Sequence, residues 1–326
     1  MFVMGLDVGY SNLKVSMGTK GEDIRTKILP AGAGNIDLMP RSVGAGLGTD
    51  FLQVIINDQK WAAGVEPDRL QGWERELHKD YKSTDVYRAL FYAALLVSEQ
   101  SVIDVLVTGL PVDQAMKDEQ RQELASLLKG EHQITPKRKV TVKDVIVVPQ
   151  PAGAYMDVVN SAVDDDVLDV IHNGKTVVID PGYYSVDWVA LVEGEIHYRS
   201  SGTSLKAMSR LIQVANELIH DDNGAAPGID KIEKAIRTGK SYIYLFGQKI
   251  ELKEYMENAS NTVSREALTS MKKTMRDDGM DADVVLLAGG GASSYMAAAK
   301  ELFSKSRIIE LENSVLSNSR GFWYCG

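Results

Sequence analysis

One short motif occurs twice in this chain and sets what it can fold into. Asp7-Val8-Gly9-Tyr10 and Asp180-Pro181-Gly182-Tyr183 each follow an apolar run and precede an alternating one. An apolar strand, a glycine-bearing turn and an alternating strand make a β-hairpin. The first hairpin covers residues 2–17, with a third strand expected at 24–29. The second covers 176–192, with a third strand at 195–199. The same unit in each half predicts an α/β protein built from two related halves.

The length of 326 residues agrees with two domains of roughly 150 residues each. Further strands are expected at 102–107, 140–142, 145–148, 283–287 and 308–310. Helical spacing and helix-end residues mark 84–100, 111–128, 151–160, 205–219, 229–236, 252–275 and 294–303, with a last helix from about residue 314. Residues 31–50 hold many Gly, Pro and Asn residues and read as a long surface loop; whether it is a subunit contact or a mobile segment stays open.

The hairpins suggest phosphate chemistry. Glycine in a tight turn lets backbone N–H groups approach phosphate oxygens with no Cβ in the way. Gly9, Tyr10, Ser11 and Asn12 in the first turn, and Gly182, Tyr183 and Ser185 in the second, are therefore candidate nucleotide-binding residues. Lys14 offers a cation to the phosphates, and Asp187 sits where Lys14 sits in the first hairpin. Asp7 and Asp180, at the strand ends, would repel phosphate with nothing between. A hydrated Mg²⁺ resolves this by bridging carboxylates to phosphates through its waters. On the residues alone, both aspartates could equally cap turns.

Two further segments join them. In the run from Val145 to Ala154 an apolar strand delivers Gln150 to the start of a helix. In the run from Val284 to Ser293 a strand meets Gly289-Gly290-Gly291 and then a helix, a flat backbone surface suited to an adenine or ribose. Gly289, Gly290, Gly291 and Ser293 are counted as nucleotide-binding candidates, and Gly202 with them. A plain helix boundary and close packing explain these segments as well when each is taken alone.

Composition narrows the class. With 44% hydrophobic and 25% charged residues the chain is globular, and its net charge of −9 argues against direct, unaided binding to nucleic acid. One cysteine, Cys325, excludes a disulfide framework. No apolar run reaches the length of a membrane span, and the N-terminus enters a strand without a leader-like segment. A soluble, reducing, cytoplasmic setting is expected. His78, His132, His172, His197 and His220 show no metal-ligand spacing and read as ordinary residues, and Trp188 and Trp323 as packing residues.

Taken together, the motifs resemble the actin-like ATPase superfamily, which also holds sugar kinases and seventy-kilodalton chaperones. Its order is first phosphate hairpin, connecting helix, second phosphate hairpin, adenosine turn, second connecting helix. Asp7–Lys14, Pro149–Tyr155, Asp180–Asp187, Leu287–Ser293 and Asn318–Phe322 stand in that order across nearly the whole chain. The compact size is most similar to the plasmid-segregation actins of the ParM/StbA type and their archaeal relatives. The form of the second hairpin looks closest to protein D of the plasmid PRTRC system.

The resemblance implies two RNase H-like domains with a nucleotide cleft between them, residues 1–159 plus 306–326 forming the first and 160–305 the second. It implies binding of ATP or ADP with Mg²⁺, ATP hydrolysis with Gln150 and Asp180 as catalytic residues, and head-to-tail filaments. A DNA-binding adaptor would link such filaments to plasmids. Two departures point to slow hydrolysis. Pro181 removes a backbone donor from the second turn, and Gln150 replaces the glutamate of many relatives, so it can orient a water but not take its proton. A small-molecule kinase of the same superfamily and a weakly hydrolysing nucleotide-binding scaffold are the alternatives.

Overall fold

The computed structural model describes residues 1–42, 46–47, 51–73, 75, 77, 80–161, 164–275 and 281–326. His78 and parts of the 31–50 segment lie outside the described residues. The chain divides into two units, Met1–Ser161 with Leu316–Gly326, and Ala162–Val315.

In the first unit the strands are β1 (Phe2–Val8), β2 (Asn12–Thr19), β3 (Arg25–Pro30), β4 (Gly32–Asn35), β5 (Arg41–Ser42), β6 (Gly46–Leu47), β7 (Leu52–Ile56), β8 (Gln59–Val65), β9 (Val102–Leu110), β10 (Gly130–Thr135) and β11 (Arg138–Pro149). The helices are α1 (Asp85–Ser98), α2 (Val112–Ala115), α3 (Asp118–Leu128) and α4 (Gln150–Asn160). The main sheet has the order β10-β11-β9-β1-β2-β3. β1 is central, antiparallel to β2 and parallel to β9. A strand covered on both faces reads as a continuous apolar run, as β1 does. A smaller sheet, β4-β8-β7, packs with α1 against the same core.

The second unit runs α5 (Asp165–Asn173), β12 (Lys175–Pro181), β13 (Val186–Val192), β14 (Glu195–Ile196), β15 (Gly202–Ser204), α6 (Met208–Asn223), α7 (Ile229–Arg237), β16 (Tyr242–Leu245), β17 (Gln248–Glu251), α8 (Lys253–Thr274), β18 (Val284–Leu287), α9 (Ala292–Leu302) and β19 (Arg307–Glu310). Its sheet has the order β14-β13-β12-β18-β19, with β15 added alongside β13. β12 is antiparallel to β13 and parallel to β18, as β1 is to β2 and β9. The repeated hairpins therefore sit at the same place in two sheets of the same plan.

Two placements depart from the sequence expectation. Residues 32–35 form β4 with buried glycines and alanine, not a surface loop. Gly32 is there for proximity, since a Cβ would stand 2.3 Å from the Val65 carbonyl oxygen. β19 pairs with β18 and belongs to the second unit, although residues 306–326 were expected with the first. Only α10 (Ser317–Cys325) returns to the first sheet, lying across β1 where a Cβ on Gly5 would meet the Ser319 oxygen at 2.1 Å.

Candidate functional site

The two hairpin turns close in the same way. In the first, Val8 pairs with Leu13, leaving Gly9 to Asn12 as the loop, and the Gly9 N–H donates to the Asn12 carbonyl at 3.0 Å. In the second, Pro181 pairs with Val186, leaving Gly182 to Ser185, and the Gly182 N–H donates to the Ser185 carbonyl at 2.8 Å. Neither glycine has a positive φ. Space is what requires them: a Cβ would stand 3.1 Å from the Asn12 oxygen in one turn and 3.0 Å from the Ser185 oxygen in the other. Both glycine N–H groups thus close their own turns.

Register places Asp7 directly opposite Lys14, and Asp180 directly opposite Asp187. Lys14 Nζ donates to Asp7 Oδ2 at 2.7 Å, with Asp7 buried. The pair puts a cation and a carboxylate together at the mouth of the first turn. Asn12 Oδ1, in the same loop, is buried and finds no hydrogen-bond partner among the described residues. Behind the loop, Tyr10 stacks on Tyr81 with ring centroids 4.2 Å apart, and Tyr81 meets Tyr87 edge-on. Burial pushes the Tyr87 hydroxyl well above its ordinary range, and the nearby Asp7 carboxylate adds to this. Tyr10 and Tyr81 also wall a cavity of about 370 Å³ with Trp61, Trp73 and Arg75.

The second hairpin carries two carboxylates where the first has a carboxylate and an ammonium. Like charges directly opposite on paired strands are destabilising unless the field is offset. Asp187 is buried and accepts from the Ser185 hydroxyl at 2.6 Å and the Thr203 hydroxyl at 2.5 Å. Ser185 therefore donates within the protein. Asp180 lies against the glycine turn: a Cβ on Gly289 would be 2.0 Å from Asp180 Oδ1, and Gly289 has φ +72°. The N–H groups of Met208 and Ser209, at the start of α6, donate to the carbonyls of Gly182 and Tyr183 at 3.2 and 2.8 Å. The turn thereby caps a helix, a link the sequence did not reveal.

The three glycines after β18 have different reasons. Gly291 packs under the hairpin, its N–H donating to the Pro181 carbonyl at 3.0 Å. Gly290 is exposed, and a Cβ on it would meet nothing nearer than Val315 at 3.9 Å. Ser293 is exposed as well. Gly290 and Ser293 are thus the open part of this turn. Gly202 pairs with Trp188 and lies under its indole, where a Cβ would stand 2.9 Å from the ring, so packing alone explains that glycine.

Gln150 is the first residue of α4, half-buried, with its Cγ against Gly109. α4 is held by α10. α10 crosses it where Gly321 meets Gly153, and a Cβ on Gly321 would fall 1.6 Å from the Gly153 oxygen. Phe322, fully buried, fills the space beside Gly109 and Gly153. The G–x–x–x–D spacing of Gly153 and Asp157 on α4, facing Gly321 and Arg320 on α10, is the sequence mark of this crossing.

The carboxylate and hydroxyl inventory bears on a metal. Among the described residues no three His, Cys, Asp or Glu side chains converge. Asp7 lies in the first unit and Asp180 in the second, one carboxylate in each hairpin.

Residues 5–153 match the family of actin-like proteins through its N-terminal domain, and residues 178–301 match the C-terminal domain of the archaeal actin homologue MreB-like family. No curated protein sequence matches the chain. Among solved structures, Ta0583, an archaeal actin homologue, is 17% identical with a TM-score of 0.78, the match covering 100% of this chain and 99% of that one. A non-polymerisable quadruple mutant of pCBH ParM is 20% identical, with a TM-score of 0.77 over 100% of this chain and 98% of its own. The actin-like protein Alp7A is 17% identical, with a TM-score of 0.73 over 99% and 95%. The hairpin repeat, the sheet order and these matches agree: the chain belongs to the actin-like proteins and has their two-domain mixed α/β fold.

Proposed function

We propose that this protein is a slow, Mg²⁺-dependent ATPase that assembles head to tail into filaments and serves plasmid segregation through a DNA-binding adaptor. The observation that carries this reading is the matched register of the two turns, Asp7 opposite Lys14 and Asp180 opposite Asp187. An ammonium with its carboxylate in one turn and paired carboxylates in the other suit a triphosphate that arrives with a divalent cation. Asp7 and Asp180 would hold that ion through water, where it draws charge from the phosphate oxygens. Lys14 would contact the phosphates directly, and Gln150 would orient the attacking water. Gly290 and Ser293 would receive the adenosine. A Ta0583 structure in complex with ADP supports the nucleotide, and a 15-stranded ParM filament from Clostridium botulinum, 18% identical with a TM-score of 0.73, supports the assembly.

Hydrolysis is expected to be slow because the second turn offers few donors. Pro181 has none on its backbone, while the Gly182 N–H and the Ser185 hydroxyl already donate within the protein. The same observation favours a second reading, a nucleotide-binding scaffold with little turnover. Pelleting with ATP, with ADP and without nucleotide, alongside phosphate release, tests both. ATP-dependent pelleting with phosphate release supports the ATPase. Pelleting without release supports the scaffold, and a chain that never pellets overturns the filament.

A further inference from the structure

β16 and β17 form a hairpin with a two-residue loop: Leu245 pairs with Gln248, and Phe246 and Gly247 make the turn. One face of the hairpin is anchored. Ile243 and Leu245 are buried in a cluster with Ile212, Ile219 and Ile232. Lys231 on α7 donates to the Tyr244 carbonyl at 2.5 Å, tying the hairpin to that helix. The tip is not anchored. Phe246 is 84% exposed, more than any other large hydrophobic residue described, and Tyr244 beside it is 55% exposed.

Local chemistry does not account for this phenylalanine. Phe246 and Gly247 have φ of +48° and +80°, so both loop residues are left-handed. Such a loop favours Asn-Gly or Asp-Gly, and a bulky side chain is disfavoured at its first position. Phe246 therefore strains the turn and adds nothing to the core. A residue that opposes folding and solubility together is explained by what it contacts outside its own unit.

The surroundings indicate the chemistry of the partner. Residues 229–253 contain six Lys or Arg and three Asp or Glu, a net +3 within a chain of net −9. The remainder of the molecule is correspondingly acidic. An aromatic knob on a basic segment is complementary to the acidic surface of a second copy of this chain. A knob that does not meet itself makes a heterologous contact, the kind that extends into a filament rather than closing a dimer.

We infer that the Tyr242–Glu251 hairpin, through Phe246, is an assembly contact that docks on another copy of this protein; this rests on the self-assembly proposed above. The test is Phe246→Asn, which restores the residue pair the turn prefers. Its melting temperature should equal or exceed the parent's and its affinity for ATP should be unchanged. Its critical concentration for ATP-dependent pelleting should rise roughly ten-fold, as for loss of an exposed aromatic anchor. Phe246→Trp should pellet like the parent. If Phe246→Asn assembles at the parental critical concentration, the hairpin is not an assembly contact, although the filament reading stands. If the parent itself stays monomeric at every concentration, both readings fall. Parental pelleting by Phe246→Asn with loss of retention on duplex DNA would overturn the proposal in favour of a nucleic-acid contact.

Discussion

Arg320 grips Asp157 with two sides of its guanidinium, Nε donating to Oδ1 at 2.8 Å and Nη2 to Oδ2 at 2.5 Å. The pair joins α10 to α4, the helix that begins with Gln150. Burial pushes the Asp157 carboxyl above its ordinary range, and Arg320 pulls it back. The guanidinium is what makes a charged carboxylate tolerable there. Arg320→Met should therefore cost about 3 kcal/mol, because it leaves a buried charge unpaired. Arg320→Met with Asp157→Asn should recover part of that loss. Guanidinium denaturation of the three proteins decides; an Arg320→Met midpoint equal to the parent's means the pair is dispensable.

Glycine at the helix crossing is predicted to be indispensable. A methyl on Gly321 collides with the Gly153 carbonyl, so Gly321→Ala must push α10 off α4. Overpacking of a rigid backbone contact costs up to about 3 kcal/mol, the upper part of the usual range, when neither side can yield. A Gly321→Ala protein with parental stability would show that the two helices slide apart freely.

The repeated hairpin was legible in the sequence because a buried strand, a turn and an alternating strand leave separate marks. Asp7, Lys14, Asp180 and Asp187 fell into register for that reason. What the sequence hid is tertiary. β4 carries three small residues whose glycines answer to Val65, Leu70 and Trp73 across the fold, which local reading takes for a loop. The Ser185 hydroxyl looked available to phosphate until Asp187 appeared beside it. Nothing in a single strand reveals that Tyr10 stacks on Tyr81, since the partner lies many residues away.

Two neighbouring glycines separate fold from ligand. Gly289→Ala demands a left-handed alanine and displaces the Asp180 carboxylate, so it should lower stability and phosphate release together. Gly290→Ala meets only Val315, at an ordinary contact distance of 3.9 Å, and should alter stability by less than about 0.5 kcal/mol. If adenosine rests on this turn, Gly290→Ala should weaken ATP and adenosine equally, as calorimetry would show. Unchanged binding of both would place the base elsewhere.

His132 gives the first unit an acid-sensitive point. Its ring lies against Phe91 and Tyr92, and Nε2 meets the Leu128 carbonyl at 2.9 Å. Burial holds its pKa below the usual 6.5, and the Leu128 carbonyl opposes this only in part. The unfolded chain then binds the proton more readily, so this stability is present above 6.5 and lost as pH falls through the lower folded value. His132→Gln should show a smaller drop in urea midpoint than the parent between about pH 7.5 and pH 5. An identical drop would place the acid sensitivity in other groups.

The second hairpin's carboxylate is the group on which the proposed hydrolysis depends most. Asp180 is the group tied at once to the turn, the glycine loop and the proposed cation. Phosphate release from ATP, measured with and without Mg²⁺ for the parent and for Asp180→Ala, tests it directly. The parent should turn over only with Mg²⁺, and the variant should be slower by about a hundredfold while still binding ATP. Equal rates for the two proteins, or parental turnover that ignores Mg²⁺, would contradict the assignment.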